Sequence, residues 1–406
     1  MPWQEVSIMS SREEFVELWK LGGVSLAELC RRFGVSRKTG YKWSARAQAG
    51  ESLSDRSRRP RRSPIQTLPS MEARVLDARA RNPAWGGRKL ASWLKQRGVQ
   101  EVPSPSTITA ILHRHGLITA EASRAVQAWT RFERAQPNEL WQMDFKGHVP
   151  MARGGRCHPF TVLDDHSRYC IGLRACSNER EETVQDHLID LFRVHGLPER
   201  ILCDNGAPWG TAGEAVKHTA LTVWMLKLGV SVTHGRPYHP QTQGKEERFH
   251  RTVKSELLSR VDLLDIKHSQ AQFDPWRNKY NHERPHEALG DATPSTRYKP
   301  SKRTYPERPT KIEYDDHEIV RRVSQDGIIS YKGVQVRVGK AFEAERVAIR
   351  ATGRENVVRV CLGPYEMGEV DLSSSRAGPH RRPTLATLAR SADADQENAT
   401  HVSERV

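Results

Sequence analysis

The sequence changes its hydrophobic period near residue 139, and that switch limits the chain to a mixture of domain types. Upstream, apolar residues recur every three to four positions, as on one face of a helix. Downstream, short apolar runs at 140–145, 159–164, 168–176 and 200–203 read as strands, with Asp165-His166-Ser167 as a turn. A helical stretch over 179–195, closed by Gly196 and Pro198, precedes the last of them. Strands and helices in this order suggest an α/β core with a mixed sheet. Helices around 244–261 and 269–283 follow. Residues 312–371 then return to short strands with Gly turns, a small all-β barrel or sandwich.

The helical half divides in two. Ser25 and Glu28 form a capping box for a helix through Phe33, Gly34 makes a tight turn, and Ser36 caps a second helix through Arg46. Helix, Gly turn, helix is the helix-turn-helix pattern, whose second helix enters the major groove. That helix offers Arg37, Lys38, Thr39, Lys42 and Arg46 on its polar side, leaving Val35, Tyr41 and Trp43 to pack. Arg56, Arg58, Arg59, Arg61 and Arg62 with Pro60 and Pro64 make a linker, either merely solvated or an arm that tracks phosphates. Further on, Leu90, Trp93 and Leu94 line one helix and Ile108, Ile111 and Leu112 another. That pair reads as a second helix-turn-helix or a structural bundle. His113 and His115 face different sides of it, which suits no shared metal.

The predicted organisation is a helix-turn-helix domain over 10–50, a basic linker over 51–65, a second helical module over 66–120, a linker over 121–137, the α/β core over 138–300, a small all-β barrel over 305–372 and a disordered tail over 373–406. Among 406 residues, 64 Lys and Arg outnumber 49 Asp and Glu, a net charge of +15 that points to nucleic acid. Six cysteines without a CxxC pair argue against a disulfide framework or structural zinc and for a reducing cytosol. No run approaches the roughly 18 apolar residues of a membrane span, and no secretory leader is expected at the start of the sequence.

Three acids stand out. Asp144 lies within the first apolar strand (WQMDF) and Asp204 ends the fourth (ILCDNG). A carboxylate beside a buried strand is costly unless paired or bound to a cation. Glu247 sits on the helix of KEERFHRTVKSELL. On a helical wheel His250, Arg251 and Lys254 lie within about 60° of Glu247, an acid-then-basic stripe that suits a metal meeting a DNA phosphate backbone, while Phe249, Val253 and Leu257 point to a core. Glu246, about 100° off that stripe, is the competing acid.

WQMDF, DDHSRY, LCDNG, RPYHPQTQGK with ERFHRT, and YNHERPHEALG, in this order over residues 138–300, resemble the catalytic core of bacterial insertion-sequence transposases with a retroviral-integrase-like DDE domain. The upstream modules resemble the end-binding domains of the same proteins. The resemblance implies an RNase H-like fold, a divalent metal, and catalytic acids at Asp144, Asp204 and Glu247, with a basic residue at Lys254. The second-to-third acid interval, 43 residues from Asp204 to Glu247, is longer than usual in retroviral integrases. Many relatives have an apolar residue at the Glu246 position. The resemblance also implies DNA contact for Gln243 in the Gln241-Thr242-Gln243-Gly244 loop and for the adjoining Lys245. Asn205, His166, Tyr238 and His239 are second-tier candidates, the two histidines reading better as structural.

Cleaving a phosphodiester needs an activated oxygen in line with a leaving oxygen and charge screening at phosphorus, which two Mg²⁺ ions supply. Hard carboxylates suit Mg²⁺, with Mn²⁺ as a substitute. Asp144 is assigned as the bridging ligand, with Asp204 and Glu247 each completing one metal. Expected partners are the element's terminal inverted repeats, target DNA and further copies of this chain in a synaptic homo-oligomer, in the cytoplasm at the nucleoid and away from membranes. The alternatives are a catalytically silent DNA-binding regulator and an RNase H-like nuclease that does not join.

Overall fold

A computed structural model describes residues 8–55, 67–118, 133–210, 218–234, 244–308, 311–373 and 382–386. The chain divides into two compact units, residues 1–67 and 68–406.

The first unit holds α1 (Ile8–Leu21), α2 (Leu26–Arg32) and α3 (Arg37–Gln48) around Phe15, Val16, Leu29, Cys30 and Trp43. The caps follow the sequence: Ser25 accepts from the Glu28 N–H and Ser36 from the Thr39 N–H. Gly34 turns the chain at a φ of +62°. Gly40 faces inward, where a Cβ would lie 2.3 Å from the Cys30 Sγ, so the missing side chain lets α3 cross its neighbours closely.

The second unit begins with α4 (Pro69–Arg81), α5 (Gly87–Gln96) and α6 (Pro105–Arg114), packed through Val75, Trp85, Leu90, Trp93, Ile108 and Leu112. This module rests on the α/β core through polar contacts, including Arg88 with Glu287 at 2.6 Å and Arg97 with Glu283 at 2.7 Å. Each of those ion pairs is substantially exposed and contributes little alone.

The core sheet comprises β1 (Trp141–Phe145), β2 (Val149–Pro150), β3 (Arg156–Asp164), β4 (Cys170–Cys176), β5 (Arg200–Cys203) and β6 (Ser231–His234). β3 pairs antiparallel with β1, β2 and β4, while β5 runs parallel to both β1 and β6, which makes the sheet mixed. On one face lie α7 (Glu181–His195) and α8 (Ala220–Lys227), with Val184, Leu188, Phe192, Leu221 and Met225 against Trp141, Phe160 and Ile201. On the other, α9 (Gly244–Val253) and α10 (Ile266–His282) bring Phe249, Val253, Phe273 and Tyr280 against Leu163 and Leu173. Coverage on both faces explains why β3 and β4 read as nearly unbroken apolar runs.

α8 is apolar all round because it is buried on two sides. Val223 and Leu226 face away from Leu221 and Met225 into the core of the C-terminal β domain. That domain has β7 (Ile319–Arg322), β8 (Ile328–Tyr331), β9 (Val334–Arg337), β10 (Arg346–Ala351), β11 (Val357–Leu362) and β12 (Tyr365–Asp371). The expected barrel is not closed. One antiparallel sheet orders β12-β11-β10-β7, and β8-β9 form a separate hairpin. Ile329, Tyr331 and Val336 of the hairpin join the common core by side-chain packing, and backbone bonds from Ser324 to Ile328 and through residues 383–386 to Glu369 connect the hairpin to the sheet without a continuous ladder. The stretch expected to be a disordered tail is in part ordered. Thr384 and Ala386 bridge to Arg337 and Glu369, and Leu385 between them is fully buried.

Candidate active site and DNA-binding helix

On α3 the inward positions are Gly40, Trp43 and Ser44, at helical spacing. Arg37, Lys38 and Lys42 are exposed, Lys42 with its Nζ 4.4 Å from the centre of the Trp43 ring. Two residues depart from the sequence reading. Tyr41, expected in the core, is 64% exposed because it falls between the inward positions. Arg46 is turned back, its guanidinium over the Trp43 ring and its Nη1 donating to the Ser54 carbonyl, so it is not displayed to a duplex. Thr39 is half-buried, its hydroxyl bonded to that of the capping Ser36. Arg58, Arg59, Arg61, Tyr238, His239 and Gln243 lie outside the described residues.

In the core, Trp141 and Gln142 of β1 are level with Ile201 and Leu202 of β5. Asp144 and Asp204 each stand three residues beyond the first of those pairs, so parallel pairing sets the two carboxylates side by side. Burial and then the charge of Asp204 push the Asp144 carboxyl up to about 7. Its Oδ1 accepts the Phe145 N–H, and its side chain is 26% exposed. The Asp204 Oδ1 accepts from the Gly206 N–H at 3.0 Å and the Trp209 indole at 2.5 Å. Among the described residues its Oδ2 accepts none. Trp209 was not picked out from the sequence, although it follows Asp204 by five residues on a loop of the DNG motif.

α9 brings a third group of side chains to Asp144. The His250 Nδ1 lies 3.9 Å from the Asp144 Oδ2, and its Nε2 is 2.9 Å from the Thr161 hydroxyl, which also reaches the Asp144 carbonyl at 2.9 Å. Thr161 has one proton, so when it donates to that carbonyl the His250 Nε2–H donates to Thr161. Glu246 completes this group, its Oε2 3.4 Å from Thr161 and 3.6 Å from His250. Burial, then Asp144, raises the Glu246 carboxyl far above the carboxylate range, and burial lowers His250 to about 4. His250 is therefore neutral near pH 7, and burial favours the protonated form of Glu246.

The predicted basic stripe is therefore split. Phe249, Val253 and Leu257 are buried as expected, but Glu246 and His250 share that buried side at i−3 and i+1 of Phe249. His250 thus backs Asp144 and does not face solvent. Glu247, Arg251 and Lys254 are exposed. α9 passes into a π-helical turn at Lys254–Leu258, where a single regular helix was expected. Glu247 lies about 60° around the helix from His250, on the solvent side of the residue touching Asp144. Among the described residues no group of three or more His, Cys, Asp or Glu is gathered tightly enough to hold a metal ion.

Lys245 is not free for DNA. Its Nζ pairs with the Asp165 Oδ1 at 2.5 Å, and burial lowers its pKa to about 8 despite that partner. Asp165 also accepts from Gln142 and from the Arg134 N–H, while Asp164 accepts from the Ser167 and Asn138 N–H groups. The acids of DDHSRY are thus structural. His166 is bonded to the Arg134 carbonyl, the structural role favoured for it.

Comparison with known proteins agrees with this architecture. The family described as Integrase core domain matches twice, over residues 134–240 and 228–294. A Helix-turn-helix domain matches 11–61, a Homeodomain-like domain 39–112, and the C-terminal domain of the IS481 family transposase 318–378. The uncharacterised 31.7 kDa protein of insertion element IS407 from Burkholderia multivorans is 24% identical over 231 residues, 55% of this chain and 79% of that protein. A protein of Geobacillus stearothermophilus named as a candidate transposase for insertion sequence element IS5376 is 23% identical over 352 residues, 84% of this chain and 83% of its own. The squirrel monkey retrovirus Gag-Pro-Pol polyprotein is 31% identical over 121 residues, 30% of this chain and 6% of that one. Among solved structures, the HTLV-2 integrase catalytic core domain in complex with magnesium is similar at 15% identity over 40% of this chain and 97% of that one, with a TM-score of 0.30. The helix-turn-helix regions, the integrase core matches and the transposase C-terminal domain place this chain among the bacterial insertion-sequence transposases with an integrase-like core.

Proposed function

We propose that the protein is a DDE transposase that binds the terminal inverted repeats of its own element, cleaves the ends by metal-dependent phosphodiester hydrolysis and joins the freed 3′-OH to target DNA. The observation that carries this reading is the pair Asp144 and Asp204, held level at the ends of neighbouring parallel strands, where burial and then the charge of Asp204 raise Asp144 to about 7. Two hard carboxylates in that state fit a divalent cation, which relieves the repulsion. Asp144 and Asp204 would hold Mg²⁺, with Glu247 as the third acid at the solvent side of α9. When bound, the ion activates the attacking oxygen and screens charge at phosphorus.

The protein then needs no nucleophile of its own. Water attacks the phosphodiester at the element's end, its oxygen joins phosphorus, and the 3′ oxygen leaves as a hydroxyl. That hydroxyl next attacks a target phosphodiester and displaces a target 3′ oxygen. Arg37, Lys38 and Lys42 on α3 approach the end duplex, and Arg251 and Lys254 take phosphates beside the acids. Two ends are joined in one event, which calls for an assembly of at least two chains at the bacterial nucleoid. Among the described residues no helix is long and apolar enough to cross a membrane.

Incubating the full chain with Mg²⁺, labelled end duplex and a supercoiled plasmid tests the reading. Label covalently joined to the plasmid supports a transposase. Nicks without joining indicate a nuclease, and end binding without either indicates a silent regulator.

A further inference from the structure

We propose that Trp209 is the positioning residue that fixes the orientation of Asp204, so that one carboxylate oxygen is consumed within the protein and the other is held out for the cation. The inference rests on the transposase reading above and concerns how its metal-binding pair is aimed. Trp209 is 1% exposed and its indole Nε1 donates to the Asp204 Oδ1 at 2.5 Å. The Gly206 N–H donates to the same oxygen at 3.0 Å. Two donors on one oxygen lock the carboxylate's rotation and leave its Oδ2 without a donor among the described residues.

The indole is itself fixed from the neighbouring strand. It stacks on Phe145 at 5.5 Å between centroids and 21° between planes, and on Phe160 at 6.0 Å and 28°. Phe145 follows Asp144 directly and donates its N–H to the Asp144 Oδ1 at 2.8 Å. Trp209 therefore ties Asp204 by hydrogen bond to the same short segment that orients Asp144, so one buried ring sets both carboxylates. The loop is shaped for this: a Cβ at Gly206 would stand 3.2 Å from the Asp204 Oδ2, and one at Gly210 would stand 2.6 Å from the Asn205 carbonyl oxygen. Glycine at 206 keeps both Asp204 oxygens uncrowded, and glycine at 210 lets the chain pass close to the Asn205 backbone.

Trp209→Phe keeps an aromatic ring and removes the N–H donor together with part of the indole's buried volume. Groups that orient metal ligands typically change affinity by about 10–100-fold when lost. The variant is expected to need about tenfold more Mg²⁺ or Mn²⁺ both to raise the melting temperature and to reach half-maximal joining. Its metal-free melting temperature falls with the lost packing and hydrogen bond, but its metal-free affinity for end duplex should match the parent chain. The same shift in metal requirement should appear with 3-benzothienylalanine at position 209, where the ring outline is kept. If Trp209→Phe does not fold, 3-benzothienylalanine at position 209, which replaces the N–H by sulfur in the same outline, serves in its place. A metal response in the parent chain that is unchanged in the variant overturns the role of Trp209 while leaving the transposase reading intact. A parent chain with no metal response, together with an Asp204→Asn chain that still joins ends, overturns the reading itself.

Discussion

At the residue scale, adjacent positions on α9 have opposite environments. Glu246 is buried, and burial pushes its carboxyl well above the ordinary value; Glu247 is exposed and unbonded among the described residues. Burial favours the protonated form of Glu246, which resembles glutamine in shape and charge, so Glu246→Gln should leave most joining activity. Glu247→Gln removes a charge from the open side and should reduce joining at least a thousandfold, about 4 kcal/mol in the barrier. The reverse outcome in the joining assay would make Glu246 the third acid. The wheel that assigned Phe249, Val253 and Leu257 to the core contained this distinction, since Glu246 is three residues before Phe249 and seven before Val253. What the wheel lacked was the neighbour: a buried acid is tolerated there because Thr161 and His250 meet it.

Buried histidines make a second case at this scale. Burial, then Arg277 and Arg174, lowers His195 to about 4, and its Nδ1 is bonded to the Tyr298 hydroxyl. Its ordinary value is near 6.5, so between those two values the unfolded chain binds the extra proton and stability falls as pH falls. The loss saturates below about pH 4 at roughly 3 kcal/mol. Melting curves from pH 7 to pH 4.5 should show a smaller decline for His195→Gln than for the parent chain. Equal declines would remove His195 from the acid sensitivity.

At the element scale, most of the architecture was legible because local signals agreed with the tertiary outcome. The caps at Ser25 and Ser36, the strand at 200–203 and the helix ended by Gly196 all form close to where the pattern puts them. Misreadings arose where the third dimension decided. Tyr41 reads as core by type yet is outside by phase. Lys245 and Arg46 read as free cations, but Asp165 and the Trp43 ring claim them. The β domain reads as a barrel, but its hairpin forms a ladder separate from the four-stranded sheet, which stays open. Gly40 offers the test for α3. A Val side chain there meets the Cys30 Sγ and the Phe15 ring, and overpacking of that kind costs about 1–3 kcal/mol. Gly40→Val should lower the melting of the first unit and weaken end binding, while the second unit's transition stays in place. An unchanged first transition would contradict the close crossing.

At the scale of the whole molecule, the account joins a basic helical unit to a sheet that sets two acids level, with a β domain seated on the back of α8. A net charge of +15 favours any duplex, so binding alone cannot distinguish this protein from a regulator. Chemistry at the acids can. Asp144→Asn and Asp204→Asn keep side-chain size and remove the charge that a cation needs. The decisive measurement is Mg²⁺-dependent transfer of labelled end DNA into plasmid by the full chain and these two variants, with end binding measured in parallel. The account expects each variant to bind ends as tightly as the parent and to yield no joined product. Joined product at the parent's rate from either variant would contradict it.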